Sequence, residues 1–188
     1  MFFDTLDEFL DAFRTENIAR SEEKSPLEEE DIIDELLDLY LLAFYEGSKD
    51  AGKEIGKDVE PSVKDAEKVI NKPIDGKTFR DRVREYAHGD MGETTGTPAE
   101  AIARVAETDS VRIYNEAKLN TAKRNGAKSK TWHTQEDGKV RDSHFLLEGT
   151  TVPIDAYFYT YTGAKAQAPS QFGDAAEDCG CRCWITVK

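Results

Sequence analysis

The spacing at which apolar residues recur changes at Gly126. Before it, apolar residues recur every three to four positions, as in amphipathic helices, and the longest such stretch runs from Pro98 to Arg124. After it, residues 130–134 alternate like a strand, and residues 156–162 are rich in aromatic side chains. The sequence therefore predicts an α+β fold. In this fold an acidic all-helical N-terminal region is followed by a long helix packed on a small antiparallel β-sheet.

Two capping boxes with proline at the first helical position mark the starts of long helices. Ser25-Pro26-Leu27-Glu28 opens one, and Thr97-Pro98-Ala99-Glu100 opens the other. The second helix is predicted to end near Arg124, because Gly126 suits a left-handed stop just beyond it. Shorter helices are predicted over residues 4–18, 61–71 and 79–89.

The loop of residues 90–97 divides the chain, since it is rich in Gly and Thr. The sequence predicts a helical, acidic interaction region over residues 1–89, a linker over 90–97 and an α+β module over 98–188. Within the first region, three glycines are expected to weaken the end of the first long helix: Gly47, Gly52 and Gly56.

Negative charge is concentrated in the first third of the chain. The net charge is −13, and residues 1–60 hold 19 Asp and Glu against 6 Lys and Arg, whereas residues 61–188 hold 19 of each. Such acidity disfavours nonspecific DNA binding, which depends on neutralising phosphates. The acidity either serves solubility alone or brings this region to a basic partner.

The sequence also indicates where the protein is made. No apolar run reaches the roughly 18 residues that a membrane span needs. The opening Met1-Phe2-Phe3-Asp4 has neither the basic nor the apolar part of a signal peptide. We therefore expect synthesis in the cytoplasm and no membrane partner.

Three cysteines lie within five residues: Cys179, Cys181 and Cys183. Together with His144 they could supply the four ligands of a tetrahedral zinc ion. If the segment is a strand, all three point to the same face, which equally allows three small side chains in a core. A redox-reactive thiol is the third interpretation. Their odd number and close spacing do not suggest a disulfide framework.

The residue types of a catalytic set are present, but no motif joins them. Cys183 or Ser143 could act as nucleophile and His144 or His133 as base, and the orienting acid could be Asp142 or Asp155. No nucleophile-elbow sequence surrounds either nucleophile. We therefore assign no catalytic residue, and His144 is equally well explained as a hydrogen-bonded structural histidine.

A locally basic stretch surrounds Trp132 and could contact DNA weakly and without sequence preference. Glu136 and Asp137 interrupt it, so a solvated helix end is the alternative interpretation. Its cations are Lys118, Lys123, Arg124, Lys128, Lys130, Lys139 and Arg141.

Residues from about 104 to 187 resemble the phage Mu F-like head morphogenesis proteins, a family of minor capsid proteins. The family pattern is a helix with a Glu-Thr and an Asn, then Lys-x-Trp-x-Thr, Arg, His, Leu-(Asp/Glu)-Gly and Val-Pro-x-Asp, closing on Cys-Arg-Cys. The matching positions are Glu107, Thr108, Asn115, Gly126, Lys130, Trp132, Thr134, Arg141, His144, Leu147-Glu148-Gly149, Val152-Pro153, Asp155, Phe158, Pro169 and Cys181-Arg182-Cys183.

The chain departs from the family pattern around its cysteines. Gly180 replaces the usual Asn, Cys179 is additional, and the familiar His-Pro before the cysteines is absent. A metal site that relied on that histidine would have to use Cys179 instead. Upstream, Val105-Ala106 stands in place of the usual Arg-Thr.

The resemblance implies a non-enzymatic minor capsid protein that joins the portal, capsid or scaffold protein in prohead assembly. A further implied role is genome packaging or ejection. The implied location is the virion interior, after assembly in the host cytoplasm. Two alternatives stay open: a toxin or effector domain derived from a phage module, and a zinc-stabilised nucleic-acid-binding module.

Two hypotheses about contacts follow. We expect Glu107 or Asn115 to pair with Arg141, His144 or Arg182, which would hold the long helix to the sheet. The apolar faces of the N-terminal helices would contact either the next helix or a partner. These faces carry Phe3, Phe9 and Phe13, and Ile33, Leu37 and Phe44.

Overall fold

The structure is a computed structural model that describes residues 2–22, 29–90 and 96–188, without the side chains of residues 17–22. The predicted α+β class is confirmed. The capping box at residues 25–28 and most of the 90–97 linker lie outside the described residues.

In chain order the elements are α1 Phe2–Glu22, α2 Glu29–Ile55, α3 Val63–Ile70, α4 Phe79–Ala87, α5 Pro98–Arg124, β1 Ser129–His133, α6 Asp142–Phe145, β2 Thr151–Pro153, β3 Phe158–Tyr159, β4 Lys165–Ala166, α7 Ala175–Asp178 and β5 Trp184–Val187.

Helix α5 is the central element of the fold. The Thr97 hydroxyl accepts a hydrogen bond from the Glu100 backbone N–H, and the Glu100 carboxylate accepts one from the Thr97 N–H. The helix ends at Arg124, and Gly126 follows with a φ of 87°. Both predicted ends are thus confirmed. Most of α5 is buried, because α1, α2, α4 and β5 pack around it.

Helix α2 crosses α5 closely, and a glycine makes this approach possible. A Cβ atom added at Gly47 would lie 2.2 Å from the carbonyl oxygen of Tyr114. Helix α2 continues through Gly47 and Gly52 and ends at Ile55, directly before Gly56. Gly47 serves the packing of two helices, and this cannot be read from local sequence. No helix in the described part of the chain is long and apolar enough to cross a membrane.

The apolar faces of α1 and α2 are occupied within the chain. Phe3, Phe13, Ile33 and Phe44 are buried in one core with residues of α5. Partly buried Phe9 and Leu37 pack against the same core. This corrects the expectation that these faces contact a partner, because their apolar surface is already buried against neighbouring helices. What remains at the surface of these helices is mostly acidic.

A second core lies beneath the C-terminal sheet. It contains Trp132, Phe158, Cys181, Cys183 and Ile185, and both α2 and α5 contribute small side chains to it. The two long helices therefore take part in both cores. The division of the chain at residues 90–97 stays a prediction.

The three-stranded sheet is antiparallel, with strand order β2-β1-β5. Strand β1 is central and directs Lys130 and Trp132 into the protein. A separate two-stranded sheet pairs β3 with β4. The sheet and the adjoining loops bring the histidine and two of the cysteines together.

Candidate metal centre

His144 reaches the interior from a single helical turn. Helix α6, Asp142–Phe145, begins after Arg141, whose carbonyl accepts hydrogen bonds from the N–H groups of His144 and Phe145. This turn leaves Phe145 at the surface and buries His144, which is 1% exposed. The turn thus places the imidazole beneath the sheet.

Two of the three cysteines face His144, and the third does not. Helix α7 ends at Cys179, and Gly180 follows with a φ of 65°, so the chain turns sharply there. Cys181 and Cys183 are buried beyond the turn, whereas Cys179 is exposed. The expectation of a four-ligand set including Cys179 is corrected. The segment is a helix end and a turn, and β5 begins only at Trp184.

The distances within this cluster match a tetrahedral metal site. His144 Nδ1 lies 3.5 Å from Cys181 Sγ and 3.6 Å from Cys183 Sγ. The three ligand atoms all lie within 4.8 Å of one another. Zinc bonds of about 2.0–2.1 Å to nitrogen and about 2.3 Å to sulfur, at tetrahedral angles, require a nitrogen–sulfur separation of roughly 3.6 Å. His144, Cys181 and Cys183 are therefore buried and close enough to hold a metal ion.

The two buried sulfurs differ in their affinity for a proton. Hydrogen bonding with Cys183 and with His144 holds the pKa of Cys181 well below its usual value. The hydrogen bond to Cys181, together with burial, raises the pKa of Cys183. The lowered pKa of Cys181 favours its thiolate form. A thiolate is the form that binds metal ions.

Glu177 supports the histidine from its other side. Its Oε2 atom lies 3.1 Å from His144 Nε2 and accepts a hydrogen bond of 2.8 Å from the Ser143 hydroxyl. Its Oε1 accepts a 2.8 Å bond from the Thr162 hydroxyl. Burial alone would raise the pKa of Glu177, but these hydrogen bonds outweigh it and lower the pKa. The Glu177 carboxylate thus faces Nε2 of His144, whereas the sulfurs face Nδ1, and carboxylates occupy the same position behind metal-bound histidines.

Aromatic rings pack against the cluster. The His144 ring stacks on Phe172 with centroids 5.3 Å apart and meets Trp132 edge-on at 5.4 Å. Trp132 is fully buried. Both rings fix the imidazole plane by packing, so the cluster is held in one geometry.

Three contacting side chains follow the order of a catalytic nucleophile, base and acid: Cys183, His144 and Glu177. The environment of Cys183, however, does not suit a nucleophile. Cys183 is buried and its pKa is raised, whereas a reactive thiol needs access and a lowered pKa. The acid behind His144 is Glu177, so neither Asp142 nor Asp155 takes the orienting position. Elsewhere, His133 lies between Glu148 and Thr186.

Asn115 joins α5 to β5. Its side-chain N–H donates to the Cys183 carbonyl at 3.0 Å, and its Oδ1 accepts from the Ile185 N–H at 3.1 Å. The hypothesis of a side-chain pair between the helix and Arg141, His144 or Arg182 is corrected accordingly. The amide binds backbone groups instead, immediately beside the metal cluster.

Four further residues of the family pattern lie in separate polar contacts. Arg141 donates to the Cys179 carbonyl, and Arg182 pairs with Asp137. The remaining two are carboxylates with cationic neighbours: Glu107, 3.8 Å from Arg14, and Asp155, 3.1 Å from Lys123.

The basic stretch around Trp132 is not one continuous surface. Lys118 and Lys130 are buried, and Lys118 pairs with Glu54 at 2.7 Å. Arg124 pairs with Asp65 on α3. Several of the cations therefore stabilise the fold, which leaves less positive charge for phosphate groups than the sequence indicates.

Glu177 is a residue of the site that no sequence motif indicates. It stands three positions after Asp174, and an Asp-x-x-Glu spacing is a helix-start pattern. Helix α7 does begin after Asp174, whose carboxylate accepts from the Ala176 N–H. That pattern could have predicted the helical turn, but it could not have predicted that Glu177 faces His144.

Comparisons with known proteins point to phage heads. Minor head protein GP7 of Bacillus phage SPP1 is 28% identical over 81 residues, which are 42% of this chain and 26% of that protein. The match thus spans about a quarter of the length of that relative. No solved structure matches this chain. The family model described as Phage Mu protein F like protein matches residues 53–186, which include the whole metal cluster. The chain therefore belongs to the family of Phage Mu protein F like proteins.

Proposed function

We propose that this chain is a minor head protein that binds the phage portal and takes part in prohead assembly. A later contribution to genome packaging or ejection belongs to the same proposal. The observation that carries it is the family match over residues 53–186, which covers α3, α4, α5 and nearly all of the C-terminal sheet. Proteins of this kind assemble with other head proteins. The proposed location is the virion interior, reached from the host cytoplasm during assembly.

The arrangement of the family-pattern residues supports a structural role. Asn115 ties α5 to β5, and Trp132 fills the second core. His144, Cys181 and Cys183 converge in the interior. These side chains fix one module rigidly, and rigidity suits a protein that is built into an assembly.

The outer face of α2 is the surface that we assign to a head partner. Asp31, Asp34 and Asp38 are exposed along one side of this helix. Acidic side chains spaced three and four residues apart present a continuous negative stripe. A basic surface on the portal, capsid or scaffold protein would complement this stripe and speed association. Of these three, the portal is the partner that we propose.

Co-sedimentation with assembled portal rings tests the proposal. The wild-type chain should sediment with the portal of its own phage. Replacing Asp31, Asp34 and Asp38 by Asn should reduce binding at least tenfold and flatten its salt dependence. Equal replacement of the exposed Asp4, Asp7 and Asp11 on α1 is the matched control. Wild-type chain that stays in the supernatant at micromolar portal would overturn portal binding.

We further propose that zinc is the cofactor of the cluster and that it stabilises the C-terminal module. The ion would join α6 to the segment after α7 through His144, Cys181 and Cys183. Native mass spectrometry should find one zinc ion per chain, which a chelator removes with a large drop in melting temperature. A metal-free chain that melts at the same temperature would refute the cofactor.

DNA is the remaining partner that we propose for this module, through weak contacts. The exposed Lys128 and Lys139 would provide it, and their replacement by Gln should abolish any salt-dependent shift of duplex DNA. A shift that survives both replacements would place the contact elsewhere.

A further inference from the structure

The metal cluster brings three ligand side chains together. In the described part of the chain, the ligands that converge are His144, Cys181 and Cys183. Zinc bound to proteins is usually four-coordinate. A metal ion held by these three atoms therefore has one position that this cluster does not fill.

A small chamber adjoins the three ligand side chains. Its volume is about 10 Å³, and its walls include His144, Cys181 and Cys183 themselves. A chamber of this size holds about one water molecule. The rest of the lining includes three cations, Lys139, Arg141 and Arg182, of which Arg182 pairs with Asp137.

Cys179 lies on a different side of the structure. It borders a larger cleft of about 460 Å³ between α4, α5 and the loop before α7. Its backbone carbonyl accepts a hydrogen bond from Arg141, and the Gly180 N–H donates to the Thr108 hydroxyl at 3.2 Å. These two contacts hold both ends of the peptide bond between Cys179 and Gly180. The Cys179 thiol therefore stays in the cleft rather than in the chamber.

We propose that the metal centre has an exchangeable fourth position in this chamber, which water occupies and a small anion can replace. The proposal rests on zinc binding as stated above. The cations of the lining favour an anion over a neutral ligand, because opposite charges attract more strongly where water is largely excluded. The size of the chamber limits the ligand to a few atoms.

Cobalt substitution tests this position directly. Co²⁺ replaces Zn²⁺ in such sites, and its visible absorption reports the number of thiolate ligands and the coordination geometry. The full chain would be loaded with Co²⁺ under anaerobic conditions with a non-thiol reductant, then titrated with azide. We expect tetrahedral bands that azide shifts, with a sulfur-to-cobalt band whose intensity is the same in Cys179→Ser.

Two further variants sharpen the result. Arg182→Gln should weaken azide binding about fivefold and leave the cobalt affinity unchanged, since it removes one nearby, partly exposed charge. The exposed Lys128→Gln, away from the chamber, is the matched control.

The outcomes separate this proposal from zinc binding itself. A loss of about one third of the sulfur-to-cobalt intensity in Cys179→Ser would make Cys179 the fourth ligand and overturn the exchangeable position. Wild-type bands that azide leaves unchanged would show a closed site, with the same consequence. Absence of cobalt and zinc from the chain in native mass spectrometry would overturn the cofactor proposal, and this one with it.

Discussion

Asn115, near the middle of α5, donates a hydrogen bond to the carbonyl of Cys183, 68 positions away along the chain. Its carbonyl oxygen accepts from the Ile185 N–H, and its amide also donates to Val111 within the helix. The side chain is fully buried. One amide thus completes the hydrogen bonding of β5 where the strand faces a helix instead of another strand.

Replacing Asn115 by Ala should lower the free energy of unfolding by about 3 kcal/mol. The change leaves the Cys183 carbonyl and the Ile185 N–H buried without partners, and each such loss costs about 1–3 kcal/mol. Urea unfolding followed by circular dichroism measures the effect. Asn120→Ala is the matched control, since Asn120 is exposed on the same helix. Equal midpoints for the two variants would contradict the role of Asn115.

Asp109 on α5 is fully buried and pairs with Arg82 of α4 at 2.6 Å. Asp109→Ala should destabilise the fold by about 3–5 kcal/mol, because it leaves a largely buried guanidinium without its counter-charge. Removing both charges with Arg82→Met and Asp109→Ala should recover part of the loss, since Arg112 also loses Asp109, 3.6 Å away, but keeps Glu116 as a counter-charge. A double-mutant cycle measures the coupling, and additive effects of the two single changes would contradict it.

The helix ends could be predicted because the groups that determine them are close in sequence. Thr97 and Glu100 satisfy the first N–H groups of α5, and Gly126 adopts the left-handed conformation that ends it. Each signal lies within four residues of the boundary that it sets. Local hydrogen bonding and backbone sterics are therefore sufficient to predict both ends of α5.

The composition of the metal cluster could be predicted only in part, because its geometry depends on distant contacts. The alternating cysteines suggested a strand, but the turn at Gly180 separates Cys179 from Cys181. Glu177 joins the site through folding of the chain between β3 and α7, and no local pattern marks that contact. Sequence spacing identifies the residue types, whereas tertiary packing decides which of them meet.

Gly47 shows the same limit within a helix. In an exposed helix, Gly→Ala usually stabilises by about 1 kcal/mol. At Gly47 the added methyl group would lie 2.2 Å from the Tyr114 carbonyl oxygen, so α2 and α5 would have to separate. Gly47→Ala should therefore lower the free energy of unfolding by about 1–3 kcal/mol. Gly138→Ala is the control, since its methyl group would meet nothing within 4 Å. A stabilised Gly47→Ala variant would contradict the close approach.

Lys130 is buried, and burial together with the nearby Lys123 charge lowers its pKa to about 8, against a usual value of 10.5. Between these two pH values the unfolded chain binds more protons than the folded protein, so this residue makes the free energy of unfolding rise with pH. Below about pH 8 the amount by which Lys130 lowers the free energy of unfolding is constant. Lys130→Met should accordingly stabilise the protein by roughly 2 kcal/mol at pH 7.

The stabilisation by Lys130→Met should shrink as the pH is raised from 8 towards 10.5, which unfolding curves at several pH values would reveal. The exposed Lys128→Met should show no such dependence. A pH-independent difference between wild type and Lys130→Met would mean that Lys130 has an ordinary pKa in the folded protein.

Glu177→Gln should weaken zinc binding by about 10- to 100-fold while every metal ligand remains in place. The amide keeps the size of the side chain and an acceptor for Ser143 or Thr162, but it has no charge to stabilise a metal-bound imidazole. Competition with a chromophoric chelator measures the affinity, and exposed Glu136→Gln is the matched control.

The melting temperature of metal-free Glu177→Gln distinguishes the two roles of this carboxylate. If Glu177 mainly joins α6 to the segment after β3, the metal-free variant melts well below the metal-free wild type. If it mainly orients His144, the metal-free proteins melt alike and differ only once zinc is added. We expect a difference in both comparisons, the larger one with zinc, because the same two oxygen atoms serve the hydroxyl groups and the imidazole. Equal zinc affinities for the two proteins would contradict the orienting role.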